Sequence, residues 1–576
     1  MRTRALLALG CVFGLAVWAG IPASARKKNS DPASRFSRQI PNNEKVLQAL
    51  NRLTFGPRPG DAAKVSAMGL RKWLELQLHP QRISESPVLA AKLKTLDSLT
   101  MTGEELVSNY PSPQMVRQMV SGRLPFPSDP DRKLLLQRVL QRFEKQKDGS
   151  ANANAEPMAA LEDLLTAEQV REMRTGTPGE RLAAFQTLSR ERQDEVVAAL
   201  PGGLRQRLFQ AAPPDLRRRI SLANGPAQVV AQDLVEGKLL RAIYSNRQLQ
   251  EVLTDFWFNH FNVNLNKGAD HYLVTEYERD AIRPHVLGKF RDLLEATAKS
   301  PAMLFYLDNW QSTSPGKPQP SGPRARRGLN ENYGRELMEL HTLGVDGGYT
   351  QQDVTEVARC FTGWTINQPQ RGGEFTFKPQ MHDAGAKVVL GVTIPAGGGI
   401  EDGEKVLDIV ARHPSTAHFI SWKLAQRFVA DDPPDALVRR MADTFLKSGG
   451  DLRAVLQTML KSREFWSVGA YRSKMKSPLE MVASAVRAVS GDVDYAFALA
   501  NQVAQLGEPL YRKVEPTGYS NSGKEWMNSG GLLARMNFAL QLAGNRVPGV
   551  KVEPAGAGKP DPLAGIPLGS PDFQKH

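Results

Sequence analysis

Apolar residues recur at helical spacing along most of the chain. In QLQEVLTDFWFNHFNVN, Leu249, Val252, Leu253, Phe256, Trp257 and His260 form an i, i+3, i+4 stripe. The runs HPSTAHFISWKLAQRFV, DALVRRMADTFLKSG, DLRAVLQTMLKSREFW and KMKSPLEMVASAVRAV are helical patterns nearer the C-terminus. At the other end, Leu47 to Pro80 reads as a helix, a Gly-Pro-Arg-Pro-Gly turn and two short helices around Met68-Gly69-Leu70. Good strand signals are confined to Glu374–Lys378 and Lys387–Ile394. Met381-His382-Asp383-Ala384-Gly385 joins them, which predicts a hairpin over 374–394. The expected fold class is mainly α, a large irregular helical domain with a small β-hairpin and a helical insertion.

The densest group of ionisable and aromatic residues is Asn330 to Thr365, NENYGRELMELHTLGVDGGYTQQDVTEVARCFTGWT, read as a helix pair over 330–364. At about 100° per residue, Glu331, Asn332, Arg335, Glu336 and Glu339 share one arc of the first helix. Glu331, Arg335 and Glu339 are spaced i, i+4, i+8, so Arg335 is placed to pair with either acid. Two readings stand. The stripe is a solvated, salt-bridged face, or it turns inward with Glu336 and Glu339 as metal ligands or an acid/base pair. His341 lies about 140° from Glu336 on the wheel, which counts against a metal motif within this one helix. Gly344 suits the helix C′ position. Thr350 to Asp353 makes a capping box, and Val354, Val357, Ala358 and Phe361 supply the buried stripe of the second helix. The run D-G-G-Y-T-x-x-D matches half of a calcium loop, but Thr342 and Gly344 fall where early acidic ligands are needed.

The N-terminus has an export pattern. Arg2 and Arg4 precede the apolar run Ala5 to Gly20, and Ala23-Ser24-Ala25 is an A-x-A cleavage site, so residues 1–25 are expected to be a signal peptide. Its removal takes the formal net charge from +14 to +12 and Cys11 with it, leaving Cys360 as the only thiol. The mature chain is expected outside the cytoplasm, periplasmic or secreted, without a disulfide or a transmembrane segment. Residues 40–100 are taken as the N-terminal part of the helical core and 101–225 as a helical, partly flexible insertion. Residues 226–546 are the main core, and 547–576 a disordered Pro/Gly tail. Arg217-Arg218-Arg219 reads as a solvated helix face. The scattered basic charge lacks an aromatic platform, so nucleic acid is not an expected partner. A Pro/Ser/Gly-rich loop from Gln311 to Gly328 leads into the central helix and is read as a flap.

Most enzyme templates are missing: H-E-x-x-H, C-x-x-C-H and G-x-S-x-G do not occur. Gly518 to Lys524 approaches a phosphate loop, but Glu525 stands where a hydroxyl is required. Dispersed ionisable residues remain. His260 sits on an apolar stripe, as a core histidine or a functional one. His285 follows Pro284, which breaks its helix and places it near a helix start. His382-Asp383 is either an exposed imidazole beside a carboxylate or turn chemistry. Cys360, on the apolar stripe of its helix, is read as a buried, inert thiol.

The stretches LNRLTFGPRPGD…GLRKWLELQLHP, FWFNHF, NENYGRELMELHTLGVDGGYTQQDVTEVARCFTGW, HDAGAKVVLG, HPSTAHFISWKLAQRFV and KSPLEMVASAVRAV resemble domain-of-unknown-function family 1800. The resemblance covers about Val46–Thr100 and Val230–Ala543. It implies a bacterial, exported, mainly helical protein with no established reaction, and a co-encoded exported protein as partner. The leading expectation is an exported hydrolase whose catalytic residues are Glu336, Glu339, Arg335, His260 and His285. A divalent metal is the candidate cofactor, with Glu336, Glu339, His341, His382 and Asp383 as its ligands. The alternative is a non-catalytic scaffold that binds an exported partner or a cell-surface polymer.

Overall fold

The apolar stripes become helices where their spacing is strongest. In the computed structural model, which describes residues 34–128, 130, 132–137, 140, 161–314, 328–552 and 568–576, Gln248–His260 is continuous and buries Leu249, Val252, Leu253, Phe256 and Trp257. The C-terminal patterns appear as Pro414–Phe428, Asp435–Ser448, Leu452–Lys461 and Pro478–Ala488. At the N-terminal end, Asn42–Leu53, Asp61–Met68 and Leu70–Leu78 follow the expected order. The fold is mainly α, with three two-stranded antiparallel sheets among the described residues. One apolar core runs from Ala49 to Phe573 and has Trp257, Phe261, Phe290 and Trp364 at its centre. Residues between Leu161 and Ile220 bury a second cluster of their own.

The expected 374–394 hairpin is corrected. Lys387–Val389 pairs with Val392–Ile394, because Leu390 and Gly391 both take positive φ (50° and 78°) and form a two-residue turn. Phe375–Phe377 instead pairs with Trp364–Ile366, the strand that follows the central helices.

The central pair forms, with one departure. Asn332–Glu336 is α-helical, but Leu337–Thr342 is a π-helix. Leu343 N–H donates to Met338 O at 2.9 Å, five residues back, and Thr342 Oγ1 donates to Leu337 O at 2.6 Å. Gly334 lets the second helix, Gln351–Cys360, approach closely: a Cβ there would lie 3.1 Å from Val354 O and Ala358 N. Tyr333 and Phe361 pack edge to face at 4.9 Å, Gly344 has φ 86°, and the Thr350–Asp353 capping box is complete. A second π segment, Tyr277–Ile282, ends just before Pro284. Cys360 is fully buried, and burial pushes its thiol up to about 12.

Arg217, Arg218 and Arg219 are not the solvated face expected of them. Arg218 pairs with Asp233 and Asp97 and donates to Tyr110 at 2.8 Å. Arg219 pairs with Asp194 at 2.5 Å, and Arg217 lies over Tyr495. Asp233 is too deeply buried to stay unpaired, so this helix latches the 161–224 segment onto the core. The tail also departs from expectation. Residues 568–576 return to the core, with Phe573 and His576 buried and His576 Nδ1 bonded to Asn51 O at 2.9 Å. The signal segment 1–25, residues 315–327 of the expected flap and residues 553–567 of the tail lie outside the described residues. No helix among the described residues is long and apolar enough to cross a membrane.

Candidate functional site

The π turn reorganises the central stripe. Arg335 pairs with Glu331 at 3.4 Å and donates to Gln351 at 2.9 Å, while Thr355 and Gln351 also donate to Glu331. Glu339 is not part of this lattice. The wheel assumed α geometry, and i→i+5 bonding rotates each later residue by less than the α angle. Glu339 instead accepts from Tyr349 at 3.3 Å. Glu336 is half-buried, and its carboxyl is raised by burial and by Glu339. Tyr306, whose ionisation Glu336 opposes, donates to Val514 O at 2.6 Å.

The five expected metal ligands divide among three places, so they do not fit one ion. No group of three or more His, Cys, Asp or Glu among the described residues does. His382 is buried rather than exposed, held between Thr362 O at 2.8 Å and Asp402 at 3.2 Å. Asp402 also pairs with buried Lys387 at 2.6 Å, and Asp383 takes Arg359 in a two-pronged contact at 2.8 and 3.2 Å. These bonds brace the segment in front of the 387–394 hairpin. His285 closes the end of its helix rather than starting the next one: its Nδ1 bonds Ala281 O at 3.0 Å. His260 and His341 adjoin each other. Their ring centroids are 6.2 Å apart, and His260 Nε2 donates to His341 O at 3.0 Å.

The helix carrying His260 presents Asp255, Phe256 and Asn259 to a small cavity of about 30 Å³. Arg427, from Pro414–Phe428, lines the same cavity with Lys474, Glu480 and Glu508. Its outer wall is Tyr519 to Trp526, held down at two points. Asn259 exchanges two hydrogen bonds with the Tyr519 backbone, at 2.7 and 2.6 Å. Gly518 has φ 69°, and a Cβ on it would lie 2.1 Å from Asn259 O, so only glycine fits there. Asp431 accepts from Gly523 N at 2.9 Å and from Lys474 at 2.5 Å. The same loop reaches Tyr306 through Val514, which joins the cavity to the Glu336 region.

The walls differ in charge. Behind Asp255 and Glu508, outside the cavity lining, Lys238, Arg241 and Arg283 lie among Glu251, Glu278 and those two carboxyls, and Arg535 also acts on Glu508. Lys238 pairs with Asp255 at 2.8 Å, and Arg283 holds Glu278 at 3.1 Å and Glu251 at 2.6 Å. Glu508, 6 % exposed, takes part in none of these ion pairs. Burial and Asp255 drive its pKa well above the usual carboxylate range, although Leu479 N–H donates to it at 2.8 Å. On the other side Glu480 pairs with Arg427 at 2.5 Å. Burial alone would raise Glu480, but Arg427, His576 and the Ser477 N–H outweigh it and bring it to about 2. Burial lowers Lys474 to about 8. One cavity therefore holds a carboxyl whose pKa is raised, Glu508, and one kept ionised by cations, Glu480.

Sequence reasoning missed Asp255, Glu480 and Glu508. Glu480 reads as the third residue of a Ser477 capping box, which it also is. Asp255 occupies a polar position beside the apolar stripe, and Glu508 is a lone acid more than 250 residues away from it. Their shared signal is burial, which appears only once the chain is folded.

The family model described as Protein of unknown function (DUF1800) matches residues 48–570. The chain belongs to this family, as its motifs implied. No curated protein and no solved structure matches it.

Proposed function

We propose that this member of a family of unknown function is an exported hydrolase whose acid/base pair lies in the Asp255–Glu508 cavity. The observation that carries the reading is that two carboxyls in unlike surroundings, one paired with a lysine and one without an ion pair among the described residues, share one cavity. Glu508 is held protonated by burial and by Asp255, and Asp255 accepts from Lys238 at 2.8 Å. Neighbouring acids in unlike environments divide the roles of proton donor and proton acceptor. Glu508 donates its proton to the leaving group, and Asp255 takes one from the attacking water. The cavity itself has room for the attacking water, and Tyr519 and Trp526 in its wall offer aromatic faces to a flat part of a substrate arriving at its mouth.

The test is hydrolysis of a panel of ester, amide and glycoside substrates by the mature protein and its Glu508→Gln variant. The expected loss is about 10²-fold or more with the fold retained, because a positioned acid contributes on that scale. Wild-type activity should fall as pH rises through the raised Glu508 value. Activity within a few-fold of wild type in both Glu508→Gln and Asp255→Asn refutes the reading. Export itself is tested by N-terminal sequencing of the secreted form, which should begin at Arg26.

One observation favours a second reading, the non-catalytic scaffold. Glu331, Arg335, Gln351 and Thr355 satisfy one another on the central pair, as a structural lattice does. A folded wild type inert on the whole panel would support that reading.

A further inference from the structure

A second cavity, of about 440 Å³, shares no lining residue with the Asp255–Glu508 cavity and is large enough for a small ligand. Arg247, just before Gln248–His260, and Arg453, in the first turn of Leu452–Lys461, both line it. Both are anchored to one tight turn. Arg247 Nε donates to Ile83 O at 3.0 Å and Arg453 Nε to Leu78 O at 2.9 Å, and between these carbonyls Pro80 and Gln81 join the lining. With Nε fixed, the Nη groups of both arginines have no hydrogen bond and no ion pair among the described residues. The cavity's other cations are committed. Arg283 holds Glu251 and Glu278, which lie outside the lining, and Lys289 holds Ser448 O at 2.5 Å and Asp451 at 3.7 Å. Gln81 and Gln250 bring side-chain amides without partners among the described residues, and exposed Asp292 adds a carboxylate.

We propose that this cavity binds a phosphate monoester of a hydroxylated small molecule, a sugar phosphate, with Arg247 and Arg453 on the phosphate. The site is separate from the acid/base cavity and does not rest on that cavity being catalytic. A guanidinium is a planar fork that sets two N–H donors against two oxygens of one anion. A phosphate monoester carries a charge of about −1.5 to −2 at neutral pH, which two uncommitted guanidiniums balance, whereas a carboxylate leaves one of them over. The Nε anchors hold both forks before the ligand arrives, so little side-chain freedom is lost on binding. Gln81 and Gln250 offer donors and acceptors, and Asp292 an acceptor, which suits the hydroxyls of the ligand.

The test is calorimetric titration of the full mature protein, in phosphate-free buffer, with glucose-6-phosphate, inorganic phosphate, glucuronate and glucose. Glucose-6-phosphate should bind at least about tenfold more tightly than either inorganic phosphate or glucuronate, and glucose should give no heat. Arg247→Gln and Arg453→Gln should each weaken it at least about tenfold, the scale of a lost charge-assisted hydrogen bond. Because each arginine also braces the turn, a second variant is needed. Gln81→Ala/Gln250→Ala removes no side-chain bond of the fold and should bind glucose-6-phosphate only as well as inorganic phosphate. Glu508→Gln should bind as wild type does, which keeps this site apart from the acid/base cavity. No heat with either phosphate, equal affinity for inorganic phosphate or glucuronate, or unchanged affinity in the folded arginine or double variants would each overturn the assignment.

Discussion

The Arg427–Glu480 pair gives the most direct test of the electrostatics around the cavity. Both side chains are under 10 % exposed and meet at 2.5 Å. Glu480 stands at about 2 against an ordinary value of 4.5. At about 1.4 kcal/mol per pH unit that difference corresponds to about 3 kcal/mol of stability at neutral pH. An independent estimate agrees: removing one member of a buried pair typically destabilises by about 3–5 kcal/mol, because the other charge stays buried. Arg427→Met should therefore lower the unfolding free energy by about 3 kcal/mol. Arg427→Met/Glu480→Gln should recover part of the loss, since Gln still caps Ser477 and neither member of the pair is left charged alone, while Arg52 and Lys476 lose a favourable neighbour. The sign with pH follows from linkage. A depressed carboxylate contributes stability above its unfolded value and loses it as pH falls through the folded one. The gap between wild type and Arg427→Met should accordingly shrink between pH 6 and pH 2. Equilibrium urea unfolding, followed by tryptophan fluorescence, measures it. A gap under about 0.5 kcal/mol at pH 7, or one unchanged at pH 2, would refute the reasoning.

Two further perturbations follow from buried acids. Asp270 is fully buried, both its carboxylate oxygens are unpartnered, and burial holds its pKa well above 3.8 despite Lys267. The folded state keeps a proton that the unfolded state has lost, so stability falls as pH rises above 3.8. Asp270→Asn should thus be close to neutral at pH 4 and stabilising at pH 7, and urea midpoints showing the reverse order count against this. Arg218→Ala strands Asp233 and should cost about 3 kcal/mol. Limited proteolysis should then cut within 161–224 before it cuts the core, and simultaneous cutting of both would show that the latch is elsewhere.

How much of this was legible in the sequence depends on the range of the interaction. Leu249 to His260 and Val354 to Phe361 are written in local spacing, and both helices formed. So did the Gly344 stop and the Thr350 capping box, each set by residues within one turn. The 374–394 hairpin failed because strand alternation shows which residues extend but not which strands pair. The positive φ of Leu390 decided that. Arg335, placed to pair with either acid, took Glu331 and not Glu339 for a related reason: a π turn leaves no mark in an apolar pattern read at 100° per residue.

The site itself is a long-range object, and that explains where the reading of the central helix stopped. Glu336 and Glu339 stood out because they are adjacent in sequence, yet adjacency made them no more than a half-buried pair beside Tyr349. Glu508 became distinctive through neighbours on other segments: Asp255 in the Gln248–His260 helix, and Leu479 at the start of the helix that carries Glu480. Its proton is held by burial first and by Asp255 next. Lys238 and Arg283 are already committed to Asp255, Glu251 and Glu278. The protonation of Glu508 is thus set by burial first and by the charges of the whole cluster second, rather than by any one contact. A sequence lists those charges but does not say which of them meet.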